Sequence, residues 1–118
     1  CNPVIKKPFH QNACNCALAG ICAEQQNKFW AMNDAMYSLR CQLDSEGLVS
    51  LADKLGLETQ SFAKCLEDPQ TYQALSNDLN ECVNVAQECS DLGKPFGTPI
   101  FKVGEEVIVG FKPKTFWE

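Results

Sequence analysis

Eight cysteines, at positions 1, 14, 16, 22, 41, 65, 82 and 89 of a 118-residue chain, constrain its folding more than any other feature. That density is unusual in cytosolic proteins, and an even number suits pairing in an oxidising, extracytoplasmic compartment. Spacing leaves the connectivity open, and some of the eight can equally stay as buried thiols that pack like small hydrophobes. A metal site is the competing account, and His10 near Cys14 and Cys16 is the cluster closest to ligand spacing. The residues call for no metal and no cofactor.

The length suits one domain, and 45% apolar residues can supply a modest core. A formal charge of -5, with Lys6-Lys7 the only basic pair, argues against a nucleic-acid surface. No apolar run approaches the roughly 20 residues that span a bilayer.

Residues 1 to 11 hold two prolines and no period, and read as an extended entry segment. A helical stretch is expected over 12–92. Asn12 suits the N-cap of a helix on which Cys14, Leu18, Ile21 and Cys22 share a stripe and Cys16 points elsewhere. Cys14 and Cys16 are therefore poor partners for each other. Asn27 suits the cap of a second helix carrying Phe29, Trp30, Met32, Met36 and Leu39, an apolar load read as core. Leu48, Leu51, Ala52 and Leu55 mark a third helix that stops at Gly56. Thr59 suits the cap of a fourth, with Phe62, Cys65 and Leu66 inward.

A fifth and longer helix starts at Pro69 with Asp68 as its cap and ends before Gly93. Tyr72, Leu75, Leu79, Cys82, Ala86 and Cys89 form its expected seam. Cys82 and Cys89 lie roughly 10 Å apart along such a helix, and a disulfide needs Cα atoms within about 7 Å. They cannot bond to each other. After this helix the pattern changes. Ile100, Val103, Val107 and Val109 favour strands, and Gly104-Glu105 is placed to turn a β-hairpin over 97–110. Thr98-Pro99 opens it, where proline is tolerated at a strand start and where a cis bond is a deliberate feature. Phe111 to Glu118 then read as the start of one more helix. The class is α+β.

Thiol chemistry usually needs a Cys-x-x-Cys at a helix N-terminus, and the chain has none. Cys14-Asn15-Cys16 is the nearest substitute: it begins a helix, and His10 could stabilise a thiolate there. His10 itself reads better as a packing or capping residue. One histidine, with no strand-turn-helix elbow around a serine, makes no convincing hydrolytic triad.

Taken in order, Cys1-Asn2-Pro3, Lys7-Pro8-Phe9-His10-Gln11-Asn12-Ala13-Cys14, Cys22-Ala23, Lys28-Phe29-Trp30, Phe62-Ala63-Lys64-Cys65-Leu66 and Gly97-Thr98-Pro99 resemble the DsbA-like thioredoxin-fold proteins. The nearest look-alikes are the thioredoxin-like domains associated with vitamin K epoxide reductase homologues. The resemblance implies a helical insertion of about five helices in a thioredoxin fold, followed by a hairpin led by a cis Thr98-Pro99 bond. It implies thiol-disulfide exchange with protein substrates, with Thr98 and Pro99 lining the substrate side and backbone groups before the proline pairing to a substrate strand.

It further implies a periplasmic or otherwise extracytoplasmic setting and a quinone-reducing membrane partner. Cys1 with Cys14 and Cys22 with Cys65 are the bridges it suggests. The family's opening strand, Cys-x-x-Cys helix and next strand have no counterpart in these residues. Catalysis would fall to Cys14 and Cys16, or to residues outside the chain. A hairpin with open edges then needs helices, a second copy in a homodimer, or strands from another chain. The alternative function is a disulfide-stapled, non-catalytic binding or assembly module that uses the hairpin edge. A lipidated Cys1 is a third reading, from its position alone.

Overall fold

The computed structural model describes residues 12–118, so the entry segment with Cys1 and His10 lies outside the described residues. Five α-helices come first: α1 (Ala13–Glu24), α2 (Phe29–Ser38), α3 (Ser45–Lys54), α4 (Thr59–Glu67) and α5 (Pro69–Asp91). Strands β1 (Ile100–Val103) and β2 (Glu106–Val109) follow, then a single turn, α6 (Lys114–Trp117). The molecule is α+β, helix-rich, with a two-stranded antiparallel sheet. Two compact units divide it, one ending at Asn80 and one running from Glu81 to Glu118, with the division inside α5.

In the first unit α1 packs against α2, α3 and α4. Its buried residues are Cys16, Leu18, Ala19, Gly20, Cys22 and Ala23, which together take up most of the helix circumference. The buried face differs from the expected stripe: it runs through Cys16, Ala19 and Ala23 as well as Leu18 and Cys22, while Cys14 and Ile21 of that stripe are only half-buried. Small residues permit this closeness. A Cβ placed on Gly20 would stand 3.4 Å from Cε2 of Phe29. Met32, Leu48 and Phe62 are fully buried around α1, and burying side chains of this size stabilises by roughly 1.5–3 kcal/mol each.

The helix ends follow local chemistry, although several caps differ from expectation. Asn12 precedes α1 but makes no side-chain capping bond. Asn27 does not cap α2: it sits in a turn at φ 58°, and Lys28 holds the cap position. The acid at Asp44 caps α3, its carboxylate accepting from the Gly47 N–H at 2.8 Å. Thr59 is the first residue of α4 and not its cap, a place taken by Glu58. Asp68 accepts from the Gln70 N–H at 2.8 Å at the start of α5, as the sequence suggests. Gly56 and Gly93 both adopt positive φ just past a helix, and the N–H of Leu57 and of Lys94 closes back onto Ala52 and Cys89.

The expected inward seam of α5 changes at its start. Tyr72 is half exposed at 51%, while Thr71 is buried at 2%. Leu75 packs against the first unit's core. In the second unit the buried apolar residues are Cys89, Val107 and Ile108. Gly104, at φ 60°, makes the two-residue turn that sets the hairpin register: Ile100 opposite Val109, Phe101 opposite Ile108, Lys102 opposite Val107 and Val103 opposite Glu106.

Candidate functional site

The hairpin entrance is the site on which the sequence places most weight. Thr98-Pro99 is a cis peptide bond, and both residues are exposed. The Pro99 carbonyl accepts a hydrogen bond from the Gly110 N–H at 2.7 Å, extending the ladder one pair beyond the strands. Hydrogen-bonded pairs recur at every second position in an antiparallel ladder. The Pro99 carbonyl, Phe101 and Val103 therefore face β2, while Ile100 and Lys102 turn their backbone groups to the open edge; Thr98 lies just before the ladder, across the cis bond. Among the described residues, none donates to or accepts from the backbone of Thr98.

Side chains alternate across the hairpin faces. Lys102 reaches Glu88 of α5 at 3.2 Å from one face, and Lys94 donates its ammonium to the Val107 carbonyl. On the other face Phe101 meets Trp117 of α6 edge-on, with ring centroids 4.9 Å apart. Both faces are thus attended by helical residues, and the edge of β1 is the open direction. Cys89 carries a free, fully buried thiol in this unit.

The disulfides belong to the first unit. Cys22 on α1 and Cys65 on α4 are bonded, with Cα atoms 5.7 Å apart, the pairing that the family resemblance implies. Cys16 on α1 is bonded to Cys41, in the turn after α2, with Cα atoms 6.2 Å apart. Arg40 and Cys41 both have positive φ, and the Cys41 N–H closes onto the Met36 carbonyl at 2.8 Å. That tight reversal brings the Cys41 side chain back to α1. Neither residue type nor spacing announces it.

Cys14 and Cys16 are not brought together as a dithiol. Cys16 is spent on Cys41 and is 8% exposed, and Cys14 is itself disulfide-bonded. The Cys1–Cys14 pairing and the role of His10 lie outside the described residues. Among the described residues no three His, Cys, Asp or Glu side chains converge on a point that could hold a metal ion.

Electrostatics mark one residue. Glu58 accepts from the Gln60 and Ser61 N–H groups and from the Ser61 hydroxyl, and these bonds hold its carboxyl below the usual glutamate value. The Ser61 side chain contributes most. Gln26 anchors the same residue from the end of α1, accepting from its N–H at 2.8 Å and donating to its carbonyl at 3.1 Å.

A groove of about 450 Å³ in the first unit is also absent from the sequence reading. Leu18, Leu48, Val49 and Leu66 line it with Glu46, Glu67 and Tyr72. Its residues come from separate helices, so no local motif could reveal it.

No family model and no solved structure matches the chain. Over 76 residues it is 29% identical to the Na(+)/H(+) antiporter NhaA of Herminiimonas arsenicoxydans, a match covering 64% of this chain and 12% of the antiporter. The chain thus spans only a small part of that relative. Among the described residues, no helix is long and apolar enough to cross a membrane.

Proposed function

We propose that this chain is the helical insertion and substrate-side hairpin of a DsbA-like thiol-disulfide oxidoreductase of the thioredoxin class, acting on protein substrates outside the cytoplasm. In that chemistry a thiolate attacks one sulfur of a disulfide, a mixed disulfide forms, and a second thiol resolves it, moving two electrons between the partners. A Cys-x-x-Cys is not among these residues, so the exchanging pair belongs to another segment or partner. This chain's part is to hold the substrate. The observation that carries the reading is the exposed Thr98 backbone, just before the cis Pro99 and without a hydrogen-bond partner among the described residues, where a substrate strand can pair. Two disulfides support an oxidising location.

The test is insulin reduction by the intact polypeptide that carries this chain. Thr98→Pro deletes the unpartnered Thr98 N–H, and losing one such hydrogen bond to the substrate should lower kcat/KM about 3- to 10-fold. Absence of exchange in the unaltered protein, or an unchanged rate in the variant, sinks the proposal.

A second reading, a disulfide-stapled binding module without redox activity, is favoured by the burial of Cys16, Cys22 and Cys65. Alkylation and mass spectrometry with and without mild reductant separate the two in the intact polypeptide. A selectively reducible pair supports exchange, and bridges that all resist reduction support the module.

A further inference from the structure

We infer that the Cys16–Cys41 bridge is a thiol-exchange site, at which the thiolate of a protein dithiol attacks Cys41, and that Cys22–Cys65 is structural. Access separates the two bridges. Cys22 and Cys65 are 1% and 8% exposed, and the Cys65 Sγ lies 3.3 Å from the hydroxyl of the buried Thr71. Cys41 is half-buried in the turn after α2, next to the exposed Arg40, which makes no ion pair among the described residues. A neighbouring guanidinium favours the thiolates on which exchange depends.

The leaving sulfur is placed to suit. Cys16 closes the first turn of α1, where the helix dipole stabilises a departing thiolate. Cys22 and Cys65 sit in the last turns of α1 and α4, where the dipole opposes one. Backbone conformation adds a driving force. Arg40 and Cys41 are consecutive left-handed residues, at φ 53° and 47°, an unfavourable arrangement without glycine, held where the bridge ties the turn to α1. Opening the bridge lets that turn relax.

In the step, the attacking thiolate bonds to the Cys41 sulfur as the Cys16–Cys41 bond breaks, and Cys16 departs as a thiolate that takes up a proton. The partner's second thiol then displaces Cys41, so two electrons and two protons pass from the dithiol to the bridge and the partner becomes a disulfide. This does not rest on the hairpin holding substrate: a chain that exchanges at Cys41, in an intact polypeptide that leaves insulin untouched, keeps this inference and loses that reading.

The test treats the whole chain with limiting dithiothreitol, followed by alkylation and mapping by mass spectrometry. A parallel sample meets a thioredoxin whose resolving cysteine is replaced by serine, which traps the mixed disulfide. Cys16 and Cys41 should be labelled at least about 10-fold faster than Cys22 and Cys65, and the trapped adduct should map to Cys41. Arg40→Gly removes one left-handed penalty and should shift the reduction equilibrium about 5-fold toward the bridge, a shift that a bridge in a relaxed turn would not show. Reduction of Cys22–Cys65 first or at the same rate, an adduct at Cys16 or none at all, or an unchanged equilibrium in Arg40→Gly, each in protein that circular dichroism shows to be folded, would overturn the inference.

Discussion

Glu58 illustrates how an exposed residue can govern a helix start. Its carboxylate satisfies two amide donors that α4 cannot satisfy itself, and Gln26 fixes its backbone to the end of α1. Because its folded pKa lies below the ordinary 4.5, the stabilisation is present above that value and is lost as pH falls through the lower, folded pKa. Denaturant melts of the native chain and Glu58→Gln should therefore differ at neutral pH and converge in acid. Equal stabilities at neutral pH would show that the cap is idle. Gly20 supplies a second expectation. Alanine there gains up to about 1 kcal/mol of helix propensity and meets Phe29 only at ordinary contact distance, whereas leucine overpacks the site and should destabilise by about 1–3 kcal/mol.

Among the elements, α1 has the strongest ties to its neighbours, because both of the described disulfide pairs leave from it. Cys22–Cys65 closes a separation of 43 residues and Cys16–Cys41 one of 25, each contributing about 3–4 kcal/mol in the chain-entropy view. Paired Cys22→Ala and Cys65→Ala substitutions should lower stability by that amount in urea melts, and a loss under about 1 kcal/mol would place the holding of α4 in apolar packing instead. The start of α3 depends on a single side chain. Asp44→Ala should weaken it by about 1 kcal/mol, read as faster amide exchange at Gly47 and Leu48.

For the whole molecule, the two units differ in how much they bury. Among the described residues, the first holds a core cluster of thirteen buried residues and the Cys16–Cys41 and Cys22–Cys65 bridges, and the second buries Cys89, Val107 and Ile108. Local opening tracks buried apolar contact, so amides of β1 and β2 should exchange faster than those of α1 and α4. Equal protection across both would show that something further steadies the hairpin. Its open edge offers the backbone of Ile100 and Lys102 for pairing, and two strands alone are marginal.

The amino-acid order alone determined what acts within a few residues. Gly56 and Gly93 end their helices because glycine adopts positive φ freely, Asp68 caps α5 through an amide two residues away, and Gly104 turns the hairpin. Legible too was the limit that Cys82 and Cys89 stand too far apart on one helix to bond. Tertiary structure decided the rest. Cys16 meets Cys41 because a reversal after α2 returns the chain to α1, and α1 is buried on most sides because neighbouring helices surround it. Thr71 turns inward in place of Tyr72, and a cavity gathers side chains from separate helices. Caps and turns are set by hydrogen bonds that span two to five residues, whereas disulfide partners and cavities depend on which distant segments pack together, a choice no local spacing encodes.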